Sequence, residues 1–179
     1  MGLLKNCVSI VVIRNKANLG VPKAFNQGLK IVLSKEGDYF LILNNDVTFY
    51  EQTIDELLQA IENSEYKYIT ALDRSRNWDK VSNSRNKFWE GLCNSCFITS
   101  RKFWDVVGLY DENYGLGNTE DRDLLHRASL LGLEAKCWIP ALIEHKHGHT
   151  QSLIGSNTSD KLMRNKEYME NKFKIKLGW

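Results

Sequence analysis

The sequence predicts an α/β fold with a mainly parallel, twisted sheet and helices on both of its faces. Two kinds of segment alternate along residues 7–72. Short runs of consecutive apolar residues are typical of strands covered on both faces, and apolar residues at every third or fourth position are typical of helices that pack on a sheet. The handedness rule for strand–helix–strand units then makes the strands parallel neighbours.

The first 72 residues contain three predicted strands and two predicted helices. The strands lie at residues 7–13 (CVSIVVI), 39–43 (YFLIL) and 68–72, and the helices at 22–34 and 51–63. Pro22 suits the first position of a helix, where a missing N–H loses no partner. In the second helix, Ile54, Leu57 and Ile61 share one face. We therefore expect three adjacent strands covered by two helices.

The rest of the chain continues with less regular elements. Residues 73–87 are polar and lack a period, which predicts an exposed loop, and residues 88–99 predict an extended segment. A strand at 134–139 is expected to stop at Pro140. Helices are predicted at 101–107, 119–131 and 160–174, the last within a basic C-terminal segment, 157–179. All 179 residues are expected to form one domain.

The composition argues against several classes of protein. Hydrophobic residues make up 42% of the chain and charged residues 26%, a balance typical of a folded domain. The 24 Lys and Arg against 22 Asp and Glu leave a net charge of +2 with no basic run, so a nucleic-acid partner is not expected. The longest apolar run, residues 7–13, is far shorter than the roughly 20 residues of a membrane span, and no signal-peptide pattern accompanies it. We expect a cytoplasmic protein.

The four cysteines, at positions 7, 93, 96 and 137, are too scattered for a disulfide framework. Cys93 and Cys96 form a C-x-x-C motif inside the apolar run 92–98. Side chains three positions apart in a strand point to opposite faces, which is poor geometry for a shared metal ion or a redox pair. We therefore expect buried structural thiols.

A first candidate site is the segment LNNDV at residues 43–47, directly after a predicted buried strand. In open α/β sheets ligands collect outside the carboxyl ends of the strands, so Asp46 is well placed to hold a metal ion. A Mg²⁺ or Mn²⁺ ion that bridges this carboxylate and a sugar diphosphate would neutralise the leaving group. A local Asn-Asn-Asp turn explains the same residues equally well.

A second candidate site is NTEDRD at residues 118–123, at a predicted helix start. A carboxylate that faces a cleft here would accept the proton of an attacking hydroxyl, and we choose Asp121 for this role. The alternative is structural, because Asn118 as helix cap with Asp121 three residues later resembles a capping box.

A third candidate site is EHKHGHT at residues 144–150, which holds three of the four histidines. In an extended segment His145, His147 and His149 would project from one face, which suits a Zn²⁺ site, although Gly148 disfavours a regular strand. A single histidine that completes a Mn²⁺ site with Asp46 is a second interpretation, and a solvated loop is a third.

Four motifs together resemble family 2 inverting glycosyltransferases in their order and spacing. They are Asn18-Leu19-Gly20 through Ala24, Asn26 and Gly28 into GDYFLILNNDV, then GLYDE at 108–112, TEDRD with Arg127 and Gly132, and H-x-x-G-x-T from His145. The resemblance covers residues 8–150 and implies a GT-A fold. It also implies transfer of a sugar, with inversion, from a nucleotide diphosphate donor to a glycan or lipid-linked acceptor.

The resemblance assigns roles to individual residues. Asp46 would ligate Mn²⁺ or Mg²⁺ with His145 as a second ligand, and Asp121 would be the general base. Residues 1–72 would carry the Asn-Asn-Asp motif and residues 88–150 the acceptor side. The donor-binding residues would be Asn18, Gly20, Asn26, Asn44 and Asn45. The acceptor-side residues would be Glu120 and Arg122. Trp89 is a further acceptor-side candidate on other grounds, because an indole offers a flat apolar platform for a sugar ring, although Trp is more often a core residue.

The chain departs from the family pattern at its N-terminal end. Residues 8–20 resemble the family's third strand and its exit loop, so roughly fifty residues of the nucleotide-binding half would be absent. A second register makes residues 8–12 the family's first strand and requires an internal deletion. Either register predicts an N-terminally truncated domain with uncovered apolar surface, hence a homo-oligomer. The alternative function is a truncated, inactive sugar-binding or assembly module of the same fold.

Overall fold

The computed structural model describes residues 10–146 and 158–178. Over these residues the chain forms a six-stranded sheet flanked by helices. The strands are β1 Tyr39–Leu43, β2 Val47–Phe49, β3 Tyr68–Asp73, β4 Phe88–Trp89, β5 Cys96–Ser100 and β6 Ala135–His145. The helices are α1 Val21–Leu33, α2 Thr53–Glu62, α3 Arg74–Val81, α4 Arg101–Val107, α5 Glu120–Leu130 and α6 Thr158–Phe173, with a 3₁₀ turn at Glu112–Tyr114.

The sheet is mixed, with strand order β1-β5-β3-β6-β2, and β4 also pairs with β6. The α/β fold is confirmed, but the expectation of a mainly parallel sheet is wrong in detail. Only β3 and β6 form a parallel pair among these strands. The reason is that β5 inserts between β1 and β3 and runs antiparallel to both. Consequently β1 and β3 share a direction without being neighbours.

The strand predicted at residues 7–13 is not observed over residues 10–13, the part of it that the structure describes. Residues 10–13 have no ladder partner in the described chain, and their apolar side chains are 44–79% exposed. Residues 7–9 lie outside the described residues. A run of apolar residues forms a strand only where a neighbouring strand pairs with its backbone N–H and C=O groups. No described strand pairs with residues 10–13.

Two further expectations need correction. Residues 73–87 are not a loop throughout, because α3 begins directly after β3. The Asp73 carboxylate caps this helix by accepting a hydrogen bond from the Ser75 N–H at 3.1 Å. Pro140 does not end β6, since a bulge absorbs it: Ala71 lies opposite Trp138, and the next residue of β3 lies opposite Leu142. Strand β6 therefore continues to His145.

The core occupies both faces of the sheet. Strand β3 is buried along its whole length, and its alternate residues supply both faces. Tyr68 stacks on Phe97 on one face, where α4 and α5 pack, and Ile69 packs with Leu57 of α2 on the other. The thiols of residues 93, 96 and 137 are free and buried, as expected. Nowhere in residues 10–146 and 158–178 does a helix combine the length and apolarity that crossing a membrane requires.

Candidate active site

A cavity of about 250 Å³ lies where the loops after β1, before β5 and before α5 meet. Part of its lining is apolar or aromatic, and the rest consists of residues that carry amide, hydroxyl or carboxyl groups. The lining residues are Val21, Phe25, Asn44, Asn94, Ser95, Tyr110, Glu120 and Asp121. The arrangement suits a ligand that is polar around its edge and has an apolar face, as a sugar ring does.

The predicted metal-binding residues Asp46 and His145 lie together beside this cavity. Strands β2 and β6 pair with Val47 opposite His145, so the residue before Val47 faces the imidazole. His145 Nε2 is 3.0 Å from Asp46 Oδ1. Two cavity residues hold the ring: His145 Nδ1 is 2.8 Å from Ser95 Oγ, and Nε2 is 3.5 Å from the Asn44 amide nitrogen.

This donor set fits a divalent cation. Mg²⁺ ligands at about 2.0–2.1 Å in octahedral geometry put neighbouring donor atoms about 3 Å apart, as His145 Nε2 and Asp46 Oδ1 are. If Nδ1–H donates to Ser95 Oγ, the Nε2 lone pair is on the Asp46 side of the ring, where it could ligate a cation. No third His, Cys, Asp or Glu joins the pair in the described chain.

Asp121 faces the cavity with both carboxylate oxygens oriented by hydrogen bonds. The Asn94 side-chain amide donates to Oδ2 at 2.7 Å, and the Arg122 backbone N–H donates to Oδ1 at 2.8 Å. The buried Tyr68 hydroxyl donates to Asn94 Oδ1 at 2.8 Å, which fixes the orientation of the amide. A half-buried carboxylate held in this way has the geometry of a general base.

The capping-box interpretation of Asp121 is not supported. Helix α5 begins at Glu120, and its N-cap is Thr119, whose side chain makes no capping hydrogen bond. Asn118 and Thr119 have φ of 68° and 93°, backbone conformations that β-branched Thr rarely adopts. Strained backbone of this kind persists where surrounding structure enforces it, commonly at functional sites.

Glu120, predicted on the acceptor side, is 8% exposed. Its Oε2 is buried and has no hydrogen-bond partner among the described residues. Burial, and secondarily the neighbouring Asp121 carboxylate, raise the pKa of Glu120 to about 7, although its own backbone N–H opposes the shift. The cavity thus holds two adjacent carboxyl groups in unlike environments.

The predicted donor-binding residues lie in different structural environments. Asn26 is 2% exposed, and its amide is engaged by the protein: it donates to Tyr110 O and Glu112 Oε1 and accepts from the Tyr110 N–H. This bridge between α1 and the loop after α4 replaces the donor contact expected for Asn26. Asn18 Oδ1 accepts a 2.9 Å hydrogen bond from the Gly20 N–H.

Gly20 permits a close approach of two loops. Its φ is 84°, and a Cβ built on it would lie 2.0 Å from Gly115 O. Of the donor-binding candidates only Asn44 lines the cavity, and Asn45 is exposed in the turn after β1.

Two acceptor-side candidates do not line the cavity. Arg122 is exposed and reaches the site through its backbone N–H to Asp121. Trp89 pairs with Cys137 in the sheet, and its ring covers Gly91. Their contacts with an acceptor stay predictions. His147 and His149 of the suggested Zn²⁺ site lie outside the described residues.

Comparison with known proteins decides the family. A family model described as Glycosyl transferase family 2 matches residues 3–119, more than half of the chain. The chain belongs to glycosyl transferase family 2. None of the curated proteins matches this family 2 chain in sequence.

Two solved structures share the fold of this family 2 chain. Mannosyltransferase PcManGT from Pyrobaculum calidifontis, in complex with GDP-Man and Mn²⁺, superposes with a TM-score of 0.60 at 10% identity, over 89% of this chain and 52% of that one. Glucosyl-3-phosphoglycerate synthase from Mycobacterium tuberculosis, in complex with Mg²⁺ and uridine-diphosphate, gives a TM-score of 0.51 at 12% identity, over 87% and 54%. The chain spans about half the length of each. The predicted GT-A-like fold is confirmed.

Sequence patterns did not single out three residues that shape the site of this family 2 chain. Asn94 and Ser95 lie inside the C-x-x-C motif, where the apolar flanks favoured a buried strand. The sequence feature that could have indicated a role for them is the placement of two polar residues between two cysteines, just before a strand. Asn165 of α6 is 2% exposed and donates to the carbonyls of Tyr114, Gly117 and Asn118, and no sequence motif marks it.

Proposed function

We propose that the chain provides the catalytic part of a metal-dependent, inverting glycosyltransferase. The donor is a nucleotide diphosphate sugar, and the acceptor is a hydroxyl of a glycan or lipid-linked molecule. One observation carries the proposal: an oriented carboxylate, Asp121, lines a cavity together with Asn44 and Ser95, and these two residues contact the His145 imidazole that is paired with Asp46.

The chemistry assigned to the residues is a single displacement. Asp121 accepts the proton of the acceptor hydroxyl as the hydroxyl oxygen attacks the anomeric carbon, and the bond from that carbon to the diphosphate oxygen breaks. Asn94 fixes the orientation of the Asp121 carboxylate by donating a hydrogen bond to Oδ2. No covalent sugar–enzyme intermediate forms, so the anomeric configuration inverts.

Asp46 and His145 would hold Mn²⁺ or Mg²⁺ next to the diphosphate. A bound divalent cation supplies Lewis-acid stabilisation of the departing diphosphate. Ser95 orients the imidazole for this purpose, because it is the partner of Nδ1. The two fold relatives were solved with GDP-Man and Mn²⁺ and with Mg²⁺ and UDP. Their ligands support a nucleotide donor and a divalent cation for this chain but do not identify the nucleobase of the donor.

The aromatic residues that line the cavity support a sugar ligand. The rings of Phe25 and Tyr110 lie 5.5 Å apart and both line the cavity. Its volume of about 250 Å³ is below the roughly 300–1,000 Å³ of a complete small-molecule site. We therefore assign it to the transferred sugar and the acceptor hydroxyl, with the nucleotide outside it. The homo-oligomer stays a prediction.

A donor-turnover assay tests this function. Purified chain is incubated with GDP-mannose or UDP-glucose and Mn²⁺, and release of nucleoside diphosphate and the anomeric configuration of the product are followed by NMR. We expect slow, EDTA-sensitive release with inversion, which Asp46→Asn abolishes and the exposed-site control Asp79→Asn leaves unchanged. Tight sugar binding without any turnover would instead favour the inactive sugar-binding module.

A further inference from the structure

An arginine held by two aromatic rings lies at the carboxyl end of β3. Arg74 is the first residue of α3 and follows the last residue of β3 directly. Its guanidinium carbon is 5.4 Å from the ring centroid of Tyr50 and 5.5 Å from that of Trp78. Cation–π contacts restrict where a guanidinium lies without engaging its N–H groups. The two rings therefore position Arg74 as a hydrogen-bond donor.

The described protein uses little of this donor capacity. Arg74 Nη1 donates one hydrogen bond to the Tyr50 hydroxyl at 3.1 Å, and that hydroxyl donates to Glu144 Oε1 at 2.6 Å. Arg74 forms no ion pair with a carboxylate of the described chain, and Glu144 is reached only through Tyr50. The side chain of Arg76, also exposed, makes neither a hydrogen bond nor an ion pair with a described residue. Two arginines with open N–H groups thus face solvent together.

One side of this cluster borders the metal-binding candidates. Glu144, which accepts the hydrogen bond of Tyr50, directly precedes His145. In the ladder between β2 and β6, Thr48 lies opposite Glu144 and Val47 lies opposite His145, and Asp46 comes just before β2. The guanidinium of Arg74 is therefore two hydrogen bonds away from the strand end that carries the imidazole.

The other side of the cluster borders the loop that orients the assigned base. Burial raises the pKa of the Cys93 thiol, and hydrogen bonds at Ser95 and the nearby Arg76 guanidinium oppose this shift, so Arg76 lies close to Cys93. The next residue, Asn94, lines the cavity and holds Asp121. An acceptor whose hydroxyl reaches Asp121 would extend past this loop toward α3.

Trp78 adds an apolar surface next to the guanidinium groups. Its side chain is 37% exposed although it packs against Arg74. An exposed indole suits the apolar face of a sugar ring, and arginine suits a phosphate or carboxylate, which its planar N–H groups bind in pairs. The combination fits a sugar that carries a negatively charged group.

We propose that Arg74, Arg76 and Trp78 bind the acceptor, and that this acceptor is a sugar bearing a phosphate or a carboxylate. The inference rests on the proposed function, because it supplies the acceptor class for the base Asp121. The guanidinium groups hold the anionic group, the indole packs on the sugar ring, and the acceptor hydroxyl points to Asp121.

A probe titration tests the preference for a charged sugar. Affinities for glucose 1-phosphate, glucuronate and glucose are measured by ligand-observed NMR in EDTA, so that no metal ion can hold the phosphate. We expect at least one charged sugar to bind about 10- to 100-fold more tightly than glucose, the effect of hydrogen bonds to a charged group. A gain for glucose 1-phosphate alone identifies a phosphate-bearing acceptor, and a gain for glucuronate alone identifies an acidic sugar.

Variants connect the preference to the named residues. Arg74→Gln and Arg76→Gln should each reduce it, and the double variant should abolish it while the affinity for glucose stays unchanged. Trp78→Ala should weaken the binding of all three probes, and Trp78→Phe should retain most of it. Arg85→Gln removes the same charge at an exposed position after α3 and should behave as wild type.

Several results would overturn the inference. Wild type that binds none of the probes, or binds charged and neutral sugars equally, would do so, as would a double variant with the wild-type preference. A loss in Arg85→Gln as large as that in Arg74→Gln would show general charge attraction instead of a site. The affinity for UDP with Mg²⁺ should be the same in wild type and the double variant, and a parallel loss would assign the arginines to the donor. A chain that prefers charged sugars but transfers none contradicts only the proposed catalysis.

Discussion

The side-chain amide of Asn94 donates a 2.7 Å hydrogen bond to Oδ2 of Asp121. The amide is itself held by the hydroxyl of Tyr68, a core residue with 0% exposure. A chain of hydrogen bonds therefore runs from the first residue of β3, through the loop before β5, to the start of α5. The orientation of the assigned base depends on the packing of the sheet.

Replacing Asn94 by Ala should lower kcat while leaving the KM for the donor nearly unchanged. The Asn94 hydrogen bond is made to a charged group, and its loss corresponds to about 1.5–3 kcal/mol, or roughly a 10- to 100-fold loss of rate. Tyr68→Phe keeps the ring and removes the anchoring hydroxyl, so a smaller loss in the same direction is expected. Steady-state kinetics of both variants give the answer, and an Asn94→Ala kcat within twofold of wild type would exclude the positioning role.

Metal binding should depend on Asp46, His145 and the serine that orients the imidazole. We expect Mn²⁺ to bind in the presence of UDP, and Asp46→Asn or His145→Ala to abolish the binding. Ser95→Ala should weaken it about 10- to 100-fold, because a ligating His loses the partner of its other nitrogen. Calorimetric titration measures the three affinities, with Asp55→Asn as the exposed-site control. Unchanged Mn²⁺ affinity in Asp46→Asn would remove this residue from the site.

The parts of the fold that sequence patterns predicted are those with local causes. Apolar periodicity located α1 and α2, and a run of consecutive apolar residues located β1, each to within two residues. Helix α3 was missed because its polar residues carry no apolar period, and the cap at Asp73 is too short a signal. The insertion of β5 between β1 and β3 was not predictable from either strand, since pairing partners are chosen by tertiary packing.

The site was predictable only where a short motif carried it. Asp46, His145 and Asp121 stand in recognisable segments, and the structure brings the first two within 3.0 Å. Asn94 could not be predicted to meet Asp121, 27 residues further along the chain. The family resemblance made Asn26 a donor-binding candidate, but burial and three hydrogen bonds to the loop after α4 give it a structural role.

Lys172 ties α6 to the start of α5, and its loss should destabilise the fold. Its Nζ lies 2.7 Å from Asp111 Oδ2 and 2.6 Å from Oδ2 of Asp123, a fully buried side chain that also pairs with Arg127. Lys172→Met leaves one buried carboxylate short of a partner, at a cost of about 1–3 kcal/mol. Urea denaturation at pH 7 measures the loss in free energy of unfolding, with Lys102→Met at an exposed position as control. Equal midpoints for both variants would contradict the expectation.

The same variant should change acid stability. Burial raises the pKa of Asp111, but hydrogen bonds from Lys172, the Asn113 N–H and Tyr168 outweigh it and lower the pKa to about 2 from 3.8. A lowered folded-state pKa stabilises the protein above pH 3.8, and this stability is lost as pH falls through about 2. Without Lys172 the loss should begin at higher pH, which acid titrations followed by circular dichroism would show.

Stability at high pH should depend on Glu120. Its pKa is raised from 4.5 to about 7, so the stability of the protonated form is fully present below pH 4.5 and lost as pH rises through about 7. Glu120→Gln cannot ionise and should gain up to about 3 kcal/mol relative to wild type between pH 4 and pH 8. Urea midpoints at the two pH values measure the gain. A difference between variants that does not change with pH would contradict it.

The most direct test of the account is the turnover number of Asp121→Asn. The substitution is nearly isosteric and removes proton acceptance, so kcat should fall about 10²- to 10⁴-fold while donor affinity changes little. Asp105→Asn, at an exposed position of α4, should keep the wild-type rate. An Asp121→Asn variant that turns over the donor within about threefold of wild type would contradict the assignment of Asp121 as the base.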